Sequence, residues 1–302
     1  MPSLDSALQP NNSTTLSKGL PRGFVTEVYG PPGVGKTTFA MQAAVNALHS
    51  PSDHHGVVWI DTGAPLPGPR FKQILAAYKP LLTPASDTPP SPSVPEPSEK
   101  MLNNVSYFNV PTLAHLLTLF LHPPPEFPPP RTSLVVIDNV STVFATAFPR
   151  SADRRAADST STVAESARNA AQQKAAGRKW AVAGDLAAAM TKMASLHNLS
   201  VLVVNQVATS LKGVKKAVLK PSLSGNGWDV GVRNQVLLYR DFGPRDGPVE
   251  LTVEERRAMR FAEVVKVSGK VATGTAADVV PFVIEDVSLW CLSKSPCGTD
   301  LQ

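Results

Sequence analysis

Apolar residues in this chain collect into short unbroken runs. FVTEVYG (24–30), VVWID (57–61), SLVVID (133–138) and SVLVVNQV (200–207) are the clearest, with NVSYFNV (104–110) beside them. Continuous runs of this length suit parallel strands covered on both faces, and they fall far short of the ~20 apolar residues of a membrane span. Between them the period changes. TFAMQAAVNALH (38–49) and LAHLLTLFLH (113–122) predict helices. From about Trp180 to His197, Val182, Leu186, Met190 and Met193 recur at three- and four-residue spacing, which predicts a third helix with a core-facing stripe. Alternation of strand and helix predicts an α/β fold, a mostly parallel central sheet with helices on both faces. Later runs, NQVLLYRDF, FAEVVKVS and VVPFVIEDV, are joined by Gly, Pro and Asp and predict antiparallel strands added at one C-terminal edge.

Proline punctuates this pattern unevenly. Of 29 prolines, seven lie between Pro80 and Pro97 and six between Pro123 and Pro130. Neither stretch is periodic, so both read as insertions: about 80–99 as an extended, mobile one, and about 122–131 as a plain spacer in preference to a proline-rich ligand. What remains of the 302 residues is one ordinary domain at 16–290, between a flexible N-terminus (1–15) and a tail (291–302). The first residues have neither the basic start nor the apolar centre of a secretory signal. Two cysteines, Cys291 and Cys297, build no disulfide framework and lack companions for a zinc site, which points to a reducing, intracellular setting. The histidines have no ligand-like companions either.

The net charge of +5 matters only through its placement. Residues 149–179 carry Arg150, Arg154, Arg155, Arg168, Lys174, Arg178 and Lys179 against three acids; residues 205–228 carry Lys212, Lys215, Lys216 and Lys220 with none. The rest of the chain is acidic on balance. Solvated surface is one reading of such runs, and a phosphate-facing loop is the other.

The segment with a chemical signature is GPPGVGKTT at 30–38. Gly30, Gly33 and Gly35 permit backbone angles that let successive N–H groups turn inward around a polyphosphate, with Pro31, Pro32 and Val34 completing the loop. Lys36 brings a point charge for the β and γ phosphates, the Thr37 hydroxyl suits Mg²⁺, and Thr38 continues a helix whose N-terminus faces the anion. The pattern predicts ATP and Mg²⁺ as cofactors. A magnesium ion needs a second anchor, and Asp138, closing an apolar strand, is the candidate carboxylate.

The ordered set of motifs resembles the RecA/RadA-type recombinase ATPases and, within them, the eukaryotic, fungal-type paralogues. LSKGLPRGFVTEVYGPPGVGKTT is similar to the family's entry into its P-loop core, and VVWIDT, LVVID, VLVVNQV and SGNGWDVGVRNQVLLYR follow in the family's order over about residues 16–290. The resemblance implies a RecA-like core. It implies that Gln206 senses the γ-phosphate, that Arg70 packs on the nucleotide base, and that the two basic windows occupy DNA-facing loops; Trp228 is the one aromatic near them. It also implies double-strand break repair by homologous recombination in the nucleus. The implied partners are single-stranded DNA, held weakly or with help, and another paralogue or the strand-exchange recombinase.

Two departures stand out. Where active members carry a water-positioning glutamate after the IDT strand end, this chain has Gly63, so weak or absent hydrolysis is expected; Asp61 and Glu27 are the nearest substitutes. About 15 residues precede the core, so the family's N-terminal DNA-binding domain and filament linker are not expected. A strand-exchanging DNA-dependent ATPase and a small-molecule kinase are the alternatives. The first is opposed by Gly63, the second by the lack of an arginine-rich lid.

Overall fold

The computed structural model describes Leu4, Leu8 and residues 19–50, 55–78, 98–149, 165–210, 218–241, 257–272, 279–284 and 289–291, without the side chains of 98–99, 165–172, 210 and 289–291. Strand β1 (Val25–Tyr29) enters the glycine loop, and helix α1 (Lys36–Leu48) leaves it. Then follow β2 (Gly56–Asp61), α2 (Gly68–Ala77), α3 (Ser98–Leu102), β3 (Val105–Asn109), α4 (Leu113–Leu121), β4 (Thr132–Asp138) and α5 (Val140–Ala147). The long α6 (Glu165–His197) leads to β5 (Ser200–Asn205), a hairpin of β6 (Val207–Ser210) and β7 (Val218–Pro221), and α7 (Asn226–Gly231). The chain closes with β8 (Val232–Tyr239), β9 (Arg260–Val267), β10 (Lys270–Val271), β11 (Val279–Ile284) and β12 (Leu289–Cys291).

Among the described residues the main sheet runs β12-β11-β9-β8-β1-β5-β4-β2-β3, with β10 paired to β9. Every pairing from β3 to β8 is parallel, and β9, β11 and β12 add antiparallel at the edge. This is the predicted architecture with one correction. NQVLLYRDF was expected at the antiparallel edge, yet β8 pairs in parallel with β1. The short α7 carries the chain back so that β8 starts level with Val25, and β8 alternates buried and half-buried positions because it is the last strand before the edge.

Alternate residues of each central strand feed two cores, one on each face. Val28, Trp59, Val136 and Val204 join Ala40, Ala44 and Val45 of α1 and Phe71 and Ile74 of α2. Val58, Ile60, Val135, Ile137 and Val203 join Leu116 and Phe120 of α4, Val143 and Phe144 of α5, Leu186 and Met190 of α6, and Trp228. Side chains of this size stabilise the fold by about 1.5–3 kcal/mol each when fully buried. Met193 is buried with the α6 stripe and Val182 packs against it, as the spacing predicts.

Three more expectations are corrected. The helix expected from Trp180 begins at Glu165, because alanine and other good helix formers carry it through Gly177 and Gly184, so the latter part of the first basic window is helical. Leu4 and Leu8, within the stretch expected to be flexible, are buried in the α1-side core, with the Leu8 N–H bonded to the Leu4 carbonyl at 3.0 Å. The second proline-rich stretch is no mere spacer: Phe127 is buried, its ring edge-on to Phe108 at 5.6 Å and Phe120 at 6.0 Å. The first proline-rich stretch lies almost wholly outside the described residues.

Candidate functional site

The C-terminal ends of the parallel strands bring the chemistry together. β1 ends beneath the glycine loop, with β5 on one side and β8 on the other, and β4 lies next to β5. At Gly30 an added Cβ would come 2.1 Å from the Leu238 carbonyl oxygen, so the loop backbone runs bare against β8. Gly35 takes φ 99° and begins α1 without a side-chain cap, leaving the helix's first N–H groups open to an anion.

Lys36 extends into this cradle and donates to the carbonyls of Gly30 at 2.7 Å and Pro31 at 2.8 Å. Burial lowers its pKa, with Asp138 opposing. Thr37 Oγ1 donates to Asp138 Oδ2 at 2.7 Å, which brings together the two groups read as metal-binding from sequence. Burial raises the Asp138 pKa, the Thr37 hydrogen bond lowers it, Asp61 raises it and Lys36 lowers it. Pro31 and Pro32 line the outer loop, Val34 is buried beneath it, and Thr38 sits in the first turn of α1. A bare backbone cradle, an ammonium held on carbonyl oxygens and a hydroxyl bonded to a carboxylate form a donor set that fits a nucleotide phosphate with a divalent ion.

The neighbouring strand tips are tied to one another. Asp61 pairs in register with Asp138. Its Oδ1 accepts from the Gly63 N–H at 2.9 Å and its Oδ2 from the Tyr107 hydroxyl at 2.7 Å, so both oxygens are engaged. The Thr62 N–H donates to the Asp138 carbonyl at 3.1 Å, and its hydroxyl donates to the Asn139 carbonyl. An added Cβ at Gly63 would meet Thr142 Cγ2 at 3.4 Å, an ordinary contact.

Gln206 lies one residue past β5, between the phosphate-loop strand and the Asp138 strand, and its side chain is exposed. Its backbone N–H donates to Ser141 Oγ and Asn205 Oδ1, both at 2.8 Å. Arg70 is half-buried in the first turn of α2, whose Phe71 and Ile74 share a core with α1. Lys220 is exposed on β7. Arg150, Arg154, Arg155, Lys212, Lys215 and Lys216 lie outside the described residues.

Trp228 is corrected. It is fully buried and its indole N–H donates to Glu27 Oε1 at 3.1 Å, so it stacks on no base. Trp180 is the aromatic that the sequence reading missed: 39% exposed, with the Lys179 ammonium 5.1 Å from its ring, and 3.0 Å from where a Cβ on Gly225 would stand. Arg240 was also missed. From the end of β8 its Nη2 donates to the Gly33 carbonyl at 3.3 Å, placing a second cation at the loop. The arginine of NQVLLYR was already legible in the chain, but only strand order shows that it ends beside residues 30–35.

No family model matches the sequence. The chain is 23% identical to DNA repair protein rhp55 of Schizosaccharomyces pombe, over 82% of this chain and 77% of that one. It is 26% identical to DNA repair protein RAD51 homolog 3 of Dictyostelium discoideum, over 90% of this chain and 62% of that one. The crystal structure of the RadB recombinase shares the fold with a TM-score of 0.55 at 17% identity, over 95% of both chains. In its strand order and its ordered motifs, the chain is similar to recombinase paralogues of the RecA/RadA type.

Proposed function

We propose that the chain is an ATP-binding recombinase paralogue of DNA double-strand break repair by homologous recombination, working in the nucleus. It docks on another paralogue or on the strand-exchange recombinase and steadies the recombinase on single-stranded DNA. The observation that carries the nucleotide part is the meeting of Lys36, Thr37 and Asp138 at the bare loop beside β8. Lys36 and the α1 N-terminus bind the phosphates, Thr37 and Asp138 hold Mg²⁺, and Arg70 and Gln206 take up the base and the γ-phosphate. The magnesium ion supplies charge neutralisation to the phosphates when bound.

Hydrolysis is weak in this reading. Gly63 polarises no water, Asp61 spends both oxygens on Gly63 and Tyr107, and Glu27 is buried below the loop, away from solvent. DNA is met by Lys220 with Lys212, Lys215 and Lys216, and by Arg150, Arg154 and Arg155; Trp180 takes the stacking role that Trp228 cannot. Phosphate neutralisation of this kind falls with salt. Among the described residues no helix is long and apolar enough to cross a membrane. Titration of the purified chain with labelled ATP and Mg²⁺ tests the proposal. Saturable uptake that Lys36→Ala abolishes is expected; no saturable uptake by well-folded protein, alone or with its partner, would refute it.

A further inference from the structure

Glu27 is a fully buried carboxyl in the middle of β1, three residues before Gly30. Neutral donors on three different elements hydrogen-bond to it. Asn205 Nδ2 (2.6 Å) and Trp228 Nε1 (3.1 Å) donate to Oε1, and Gln235 Nε2 (2.8 Å) donates to Oε2. Asp229 of α7 bears on it by charge, and so does Lys266 of β9, whose Nζ is held by the carbonyls of Asp229 and Val232.

Asn205 carries the connection onward. Its Oδ1 accepts from Ser141 Oγ, from Ser222 Oγ at 2.8 Å and from the Gln206 N–H at 2.8 Å, and its Nδ2 also reaches the Leu223 carbonyl at 3.1 Å. The Ser222 N–H donates to the Gln206 carbonyl at 2.8 Å, closing the root of the β6–β7 hairpin. One amide side chain therefore fixes both ends of the hairpin that brackets the lysine-rich segment, and Glu27 orients that amide. In its ionised form, which prevails above about pH 7, the carboxylate presents only acceptors to the three converging donors.

We propose that Glu27 is a positioning residue that, through Asn205, sets the root of the β6–β7 hairpin relative to the strand carrying the phosphate loop. This rests on the nucleotide reading above. It adds a route from cradle to hairpin that runs beneath the sheet tips, apart from the exposed Gln206 side chain.

Glu27→Gln turns one of the two oxygens into a donor: placed at Oε1 it breaks the contacts to Asn205 and Trp228, and placed at Oε2 it keeps Gln235 only if that amide turns over to accept. The double variant Glu27→Gln, Gln235→Glu restores the match with the same side-chain types, because the amide introduced on β1 then donates to the carboxylate introduced on β8. The test follows ATP uptake and amide hydrogen exchange at Gln206 and Ser222 in the full chain, with and without Mg-ATP. In the wild type, Mg-ATP should slow exchange at the root. Glu27→Gln should keep ATP uptake within about threefold, exchange about tenfold faster at the root, the scale of one lost buried hydrogen bond, and lose the ATP response. The double variant should recover it.

Gln235→Ala, which withdraws a single donor, is a milder probe and should move exchange in the same direction. No uptake by the wild type would overturn both the nucleotide reading and this proposal. Normal uptake would overturn this proposal alone if accompanied by a root that ignores Mg-ATP, unchanged exchange in the variants, equal acceleration at β2 and β4, or no rescue.

Discussion

At Gly63 the backbone has room for a side chain, with Thr142 at ordinary contact distance and no left-handed φ to resist one. Gly63→Glu is therefore expected to fold and to raise ATP turnover by about a hundredfold or more, the lower range for a positioned general base. Steady-state phosphate release checks this; no gain despite intact ATP uptake would mean that the missing carboxylate is not what limits turnover. Arg240→Ala should weaken ATP uptake by about three- to tenfold, the scale of one charge-assisted hydrogen bond, while leaving the fold intact. An unchanged affinity would remove Arg240 from the site.

Glu27 also makes a prediction about pH. Burial pushes its carboxyl up from the ordinary 4.5 to about 7, against the pull of Asn205, Gln235 and Trp228. Between those two values the folded chain keeps a proton that the unfolded chain has lost, so this contribution is full below pH 4.5 and is gone above about 7. Denaturant unfolding at pH 5 and pH 8 should show the wild type losing on the order of 2–3 kcal/mol more stability than Glu27→Gln as pH rises. Equal pH slopes would contradict it. At this scale the sequence was legible where chemistry is encoded locally, as in Lys36 and Thr37, or by a strand-end position, as in Asp138. It was opaque where a role comes from folding: Arg240, Asn205 and Trp228 take their places only once β8, β5 and α7 are set against β1.

Among the elements, the packing of α6 on α7 depends on two glycines. An added Cβ at Gly227 would lie 2.9 Å from the Gly184 Cα, backbone against backbone, and neither helix can yield there by turning a side chain. Gly227→Ala should cost about 1–3 kcal/mol, typical of an overpacked contact, with thermal unfolding as the measurement; a neutral result would mean that α7 shifts freely. Helices and strands with one clear period, such as α1, β2 and β4, were readable from pattern alone. The β6–β7 hairpin was not, because four-residue strands around a lysine-rich stretch leave no apolar period. The start of α6 was missed because alanine and charge carry it where no stripe exists.

For the whole molecule, the parallel sheet and its helices on both faces were legible because buried strands are continuously apolar. The placement of β8 was not, since its alternating pattern suits either side of the boundary between parallel and antiparallel pairing. If the two basic windows meet single-stranded DNA, log affinity should fall linearly with log salt by about 0.7 for each phosphate neutralised. Anisotropy titrations across salt concentrations measure this, and a flat line would assign the lysines to solvent. The position of β1 has a further consequence. Its two neighbours are contributed by residues 200–205 and 232–239, so during synthesis the first strand waits without lateral partners until roughly two hundred more residues have been made. Nascent or prematurely terminated polypeptides that stop short of Tyr239 thus carry the complete GKT signature and yet no support on one side of it, which makes the late part of the message decisive for the earliest motif.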